Sequence, residues 1–178
     1  MITIDPPSTG SNPLALNRAG LTRFLLRARE EVGLGGEVDV LLTSDAEIKR
    51  LNRTFRKKNK ATDVLSFPAP EEIFGEHAGD LAISLDTAAR QAESFGHSLR
   101  DEVRILLLHG LLHLAGMDHE IDSGEMAERE MELRRELRLP ASLIERVSHK
   151  PIARKGSTKA QTSGAAKRPS PAGKRSKR

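Results

Sequence analysis

The chain has no cysteine, no tryptophan and no tyrosine, and only five phenylalanines in 178 residues. Without cysteine there are no disulfides and no thiolate metal sites. With so few rings, a base-stacking platform of the usual aromatic kind is not expected. Any nucleic-acid recognition should then rest on phosphate charge and RNA shape, with strong salt dependence. No apolar stretch approaches the length that spans a bilayer. The opening residues, MITIDPPSTG, lack a basic segment followed by an apolar run, so no signal peptide is expected. A cytoplasmic protein with no membrane association is the simplest reading.

Charge is divided unevenly. Residues 150–178 hold ten Lys and Arg and no Asp or Glu, although the whole chain is only +4. The first 149 residues therefore carry 19 basic and 25 acidic side chains, a net of −6. The last segment is rich in Ser, Gly, Ala and Pro and poor in large apolar residues. It cannot bury enough surface to offset its conformational entropy, so it is expected to be disordered. The expected organisation is a folded domain over 1–149 and a basic tail over 150–178. Such a tail can act as an electrostatic arm for nucleic acid, or as a solubilising extension with no target.

Three of the six histidines lie in one run, HGLLHLAGMDH, as His109, His113 and His119. His109 and His113 are four apart, which on a helix sets both imidazoles on one face, a turn apart. Leu106, Leu107, Leu108, Leu111, Leu112 and Leu114 surround them, so that helix is expected to be buried. Gly116 can take the left-handed conformation that ends a helix, letting the chain fold back and bring His119 to the same point. Three neutral imidazoles with one position open is the shape of a catalytic zinc site. The alternative is core histidines satisfied by backbone carbonyls. Nickel or copper would suit the same ligands. His77, His97 and His149 are isolated and read as surface or loop residues.

The spacing HxxxHxxGxxH also occurs in zinc proteases, where glutamate follows the first histidine and activates water. Here that position is Gly110. A glycine cannot act as a general base, so a metallopeptidase-like hydrolase is the weaker reading.

Elsewhere, periodicity and punctuation predict elements in the order β-α-β-α-β-β-α-α-α. Short strands are expected at Ile2–Ile4, Glu37–Thr43, Thr62–Phe67 and Gly79–Ser84, with a loop over 69–78. Helices are expected from about Asn12 to Val32, after a capping box at Ser44 and Glu47, over 87–95 behind Asp86, from about Ser98 to Ala115, and from Asp122 or Ser123 to near Pro140. The fold class is α/β (α+β), a small mixed sheet of about four strands packed with about five helices. The metal site is expected on a buried central helix.

The run HGLLHLAGMDH, preceded by TDVLSFP and GDLAIS, closely resembles the YbeY family of bacterial endoribonucleases, from about residue 38 to 137. The resemblance implies that His109, His113 and His119 bind one Zn2+ per chain. It implies that Arg56, in NRTFRKKNKATDVLSFP, is the family's functional arginine beside the metal cleft. A guanidinium there can hold the charge of a phosphodiester transition state bidentately. Without the resemblance Arg56 would read as a solvated helix-face residue, and the cluster Lys57–Lys60 as an ordinary charged loop. The implied activity is zinc-dependent, single-strand-specific endoribonuclease action in maturation of the small-subunit ribosomal RNA 3′ end and in ribosome quality control. Its implied partners are ribosomal RNA, the small subunit and assembly proteins. A ribosome assembly factor with a structural zinc and little intrinsic catalysis is the competing expectation. Asp118 could orient a ligand histidine or cap the turn after Gly116. Asp63, Asp80, Thr62 and Ser66 could line the cleft or fix strand ends.

Overall fold

The structure, a computed structural model, describes residues 1–5 and 16–140. Expectations for residues 12–15 and for the tail over 150–178 fall outside the described residues. The elements are β1 (Ile2–Ile4), α1 (Arg18–Val32), β2 (Glu37–Thr43), α2 (Asp45–Arg56), β3 (Val64–Pro68), a 3-10 turn at Glu71–Ile73, β4 (His77–Ser84), α3 (Leu85–Phe95), α4 (Leu99–Leu114) and α5 (Glu125–Glu136). The sheet order is β1-β2-β4-β3. β1 and β4 run parallel to β2, whereas β3 runs antiparallel to β4 and forms an edge.

Alternation along the strands sorts side chains into two cores, because successive residues point to opposite faces. Val38, Val40 and Leu42 of β2, with Leu81 and Ile83 of β4, join the larger core with the leucines of α4. Leu65 and Ala82 face the other way and meet Ile48, with Leu41, Leu51 and Phe67 packed against them. That smaller core fastens α2 across the sheet. Helix α4 is apolar nearly all round, and Ile105, Leu106, Leu107, Leu108 and Leu111 are fully buried. Truncating any one of these leucines to alanine should cost about 2–5 kcal/mol. A helix held this firmly is a rigid base for the side chains it presents. Among the described residues, no helix is long and apolar enough to cross a membrane.

Helix ends follow local chemistry, with some reassignment. Ser44 accepts from the Glu47 amide as the capping box predicts, but the Glu47 carboxylate pairs with Arg50. Helix α3 starts at Leu85 and is capped by Ser84, not Asp86. The Asp86 carboxylate instead accepts from the Asp45 amide, at the start of α2. Helix α1 starts at Arg18 behind Asn17, whose side chain accepts from the Gly20 amide. β4 begins at His77, inside the expected loop, because its first residues find partners along β2.

Candidate metal centre and cleft

Helix α4 carries two of the three histidines. Ser98 caps its start by accepting from the Asp101 amide. Its end is a Schellman turn: the Met117 amide reaches the Leu112 carbonyl and the Gly116 amide the His113 carbonyl. Gly116 sits at φ +87°, a region an L side chain enters only at a cost. This turn swings the chain back and brings His119 to the pair. The His109 and His113 ring centroids are 4.7 Å apart, and the His119 ring lies 5.2 and 5.3 Å from them. One ligand atom from each histidine lies within 4.8 Å of the others.

Hydrogen bonds fix which nitrogens face inward. His113 Nδ1 lies 2.9 Å from the Met117 carbonyl oxygen. A carbonyl only accepts, so this nitrogen carries the proton and Nε2 is a bare lone pair. His109 Nδ1 lies 2.9 Å from Oε2 of Glu130, whose carboxylate accepts in the same way. With both rings neutral, the two Nε2 atoms face each other at 3.1 Å as lone pairs. Such a pair repels unless a cation lies between them. Burial first, and then the neighbouring His109 and His119, hold His113 below the ordinary histidine range, so it is neutral near pH 7. His119 Nδ1 is buried with no hydrogen-bond partner among the described residues. The donor set therefore fits a metal ion.

Behind His109 lies an arrangement that the sequence reading missed. Glu130 is fully buried on α5, and its second oxygen accepts from Arg134 Nε at 2.9 Å. Arg134 is itself buried and reaches the Pro140 carbonyl. The signal was present: Met126, Glu130 and Leu133 share one face of α5, Leu137 just past its end continues it, and all are buried. A carboxylate in a core slot asks for a partner. Asp118, the residue considered for that role, caps a turn by accepting from the Glu120 amide.

The histidines open into a cleft of about 740 Å³ lined also by Arg56, Thr62, Ser66, Asp118 and Glu120. Arg56 thus lines the same cleft as the three histidines. It ends α2, where Lys57 takes a left-handed conformation at φ +58°. Asn52, buried in α2, anchors the basic loop that follows. Its carbonyl accepts from the Lys58 amide, and its side chain donates to the Lys60 carbonyl at 2.8 Å. Among the described residues Arg56 has no carboxylate partner, which leaves its guanidinium available to an anion. Asp63 lines the cleft too, but its carboxylate is held by Thr62, the Val64 amide and Gln91. Asp80 lies elsewhere, beside His77 and Asp39.

Gly110 faces the sheet. A Cβ there would come within 2.7 Å of Leu81 Cδ2, so the glycine permits close helix–sheet packing. A glutamate at this position, as in the proteases, would have to displace the Leu81 side chain. His97 lies in the loop between α3 and α4, as expected, but its ring is turned inward and its Nε2 bonds the fully buried Glu102. His149 lies outside the described residues.

The family model described as Endoribonuclease YbeY matches residues 17–138. An Endoribonuclease YbeY of Koribacter versatilis is 56% identical over 133 residues, covering 75% of this chain and 86% of that protein. One of Solibacter usitatus is 53% identical over 135 residues, covering 76% and 89%. Among solved structures, TM1509 from Thermotoga maritima matches with a TM-score of 0.52 at 31% identity, over 77% of this chain and 89% of that one.

Proposed function

Since the chain belongs to the family described as Endoribonuclease YbeY, we propose that it is a zinc-dependent, single-strand-specific endoribonuclease that matures the 3′ end of small-subunit ribosomal RNA. Quality control of ribosomes is part of the same reading. Its partners are then ribosomal RNA, the small subunit and assembly proteins, and its place is the cytoplasm. The catalytic domain is residues 1–149, and the basic segment 150–178 adds contacts to nucleic acid.

One observation carries the metal: two imidazole Nε2 atoms face each other at 3.1 Å while each ring's Nδ1 is turned to an oxygen acceptor. Tetrahedral zinc with Zn–N bonds of 2.0–2.1 Å would set such nitrogens about 3.3 Å apart. His109, His113 and His119 would hold one Zn2+. When bound, that ion supplies a Lewis acid for a phosphoryl oxygen and lowers the pKa of water. The chain's own groups do the rest. Glu130 and the Met117 carbonyl hold the His109 and His113 rings with Nε2 inward. Arg56, at the cleft, pairs with the phosphate and with the charge that gathers on its oxygens in the transition state. Lys57, Lys58 and Lys60, all exposed, follow the backbone on either side. No carboxylate occupies position 110, so the attacking group is water or the RNA 2′-hydroxyl.

The test uses one strand in RNA and DNA form, with protein as purified, chelator-treated and zinc-reloaded. RNA cleavage should vanish on chelation and return with zinc. Loss of the DNA strand as well would identify water as nucleophile. Cleavage indifferent to chelation would remove the metal from the reaction, and hydrolysis of peptides would revive the peptidase reading.

A further inference from the structure

Phe55 is an oddity on this surface. It is 64% exposed in the last turn of α2, beside Arg56, in a chain with few rings. It makes an edge-to-face contact with Phe67, ring centroids 5.4 Å apart and planes inclined by 66°. Phe67 sits on β3 between Ser66 and Pro68, both of which line the cleft. Side chains alternate along a strand, so the ring pair occupies the opposite face of the same edge strand. Among the described residues β3 is the edge of the sheet, and α2 packs against it. The residues on either side of it in sequence are basic: Arg53, Arg56, Lys57, Lys58 and Lys60 are all exposed.

We propose that Phe55 is a base-stacking residue for single-stranded RNA, taking one unpaired base next to the phosphate held by Arg56. The inference rests on the endoribonuclease reading above. The composition argued against a platform of several rings, and a single ring is what the structure supplies. Stacking on one face tolerates every base, whereas the basic residues that flank it in sequence track the backbone. Phe67 braces the ring from the side and leaves a face for the base. A strand leaving the cleft past Arg56 crosses the β3 edge and meets Phe55 next. The inserted base would make recognition depend on an unpaired nucleotide, because a base inside a duplex has no free face to offer.

The experiment measures binding of a labelled, unstructured oligoribonucleotide to the full-length, zinc-loaded chain by fluorescence anisotropy. Wild type is compared with Phe55→Ala, Phe55→Leu and Phe55→Tyr, on intact RNA and on RNAs with a single abasic nucleotide moved along the strand. Phe55→Ala should weaken binding by roughly 5- to 150-fold. Leucine should be as poor as alanine, and tyrosine should restore binding. Wild type should suffer a similar loss with the abasic nucleotide at one position, and Phe55→Ala should not feel that change. Wild-type affinity in Phe55→Ala, full rescue by leucine, or additive losses from ring and base would each overturn the assignment. Ring-dependent binding without cleavage by wild type would leave stacking in place and remove the endoribonuclease reading. Cleavage with no role for Phe55 would do the reverse. A wild type that binds no RNA overturns the stacking assignment.

Discussion

Glu130 offers the sharpest quantitative prediction. It is fully buried, and its two oxygens accept from His109 Nδ1 and Arg134 Nε, each at 2.9 Å. Replacing it with glutamine keeps the shape and removes the charge. The one remaining oxygen goes to the charged Arg134 guanidinium, so His109 Nδ1 faces the amide NH2 and loses the acceptor that fixes its tautomer. Metal affinity should fall about 10- to 100-fold, which is about 1.4–2.7 kcal/mol. Alanine should do more, because it leaves the Arg134 guanidinium buried without this carboxylate. That should cost about 3–5 kcal/mol of stability, or roughly 6–20 °C in melting temperature. Glu130→Leu with Arg134→Met removes both charges and should stay close to wild type in stability. It should still bind metal about 10- to 100-fold more weakly. Competition with a chromogenic chelator gives the affinity, and melting of the metal-free proteins gives the stability. Wild-type affinity in Glu130→Gln, or in the double variant, would refute the claim that the carboxylate orients the ligand.

Three further predictions concern other parts of the chain. Gly110→Ala gains about 1 kcal/mol of helix propensity but pushes a methyl to 2.7 Å from Leu81, which overpacks the core at about 1–3 kcal/mol. A lower melting temperature, relieved by Leu81→Val, is expected, and a stabilised Gly110→Ala would contradict the packing argument. Burial raises the Asp45 carboxyl, but hydrogen bonds from Ser84, Thr87 and Arg90 outweigh it and hold it below the usual carboxylate range. The folded state then binds that proton less readily than the unfolded chain. Asp45 should therefore stabilise the fold above about pH 4 and lose this contribution as pH falls further. The melting gap between wild type and Asp45→Ala should close on acidification, and a constant gap would rule the charge out. Removing residues 150–178 should weaken RNA binding at low salt and flatten its salt dependence without changing metal content. Unchanged affinity would mark the segment as a passive extension.

Much of this was legible in the sequence because local rules and tertiary needs agree. Ser44 and Ser98 cap α2 and α4, and Gly116 turns the chain after α4, as their residue types lead one to expect. The spacing of His109, His113 and His119 anticipated their convergence. Strand order was not legible, since alternation assigns a face and says nothing about which neighbour pairs with which edge. That is why the antiparallel edge position of β3, beside the cleft, had to be seen. Asp86 and Ser84 are both good caps; the choice depended on Asp45, 41 residues from Asp86, which takes its carboxylate. Glu130 was hidden by its surroundings. In a helix as charged as EMAEREMELRRE, one more glutamate looks solvated until its place among Met126, Leu133 and Leu137 is counted.

The most direct test of the central claim is cleavage of a structured small-subunit ribosomal RNA fragment by wild type and by His113→Ala, purified side by side. The account predicts that wild type cuts, that the variant does not, and that the variant has lost its metal while melting as a folded protein. Equal cleavage by both would trace the activity to something other than the three histidines and contradict the account.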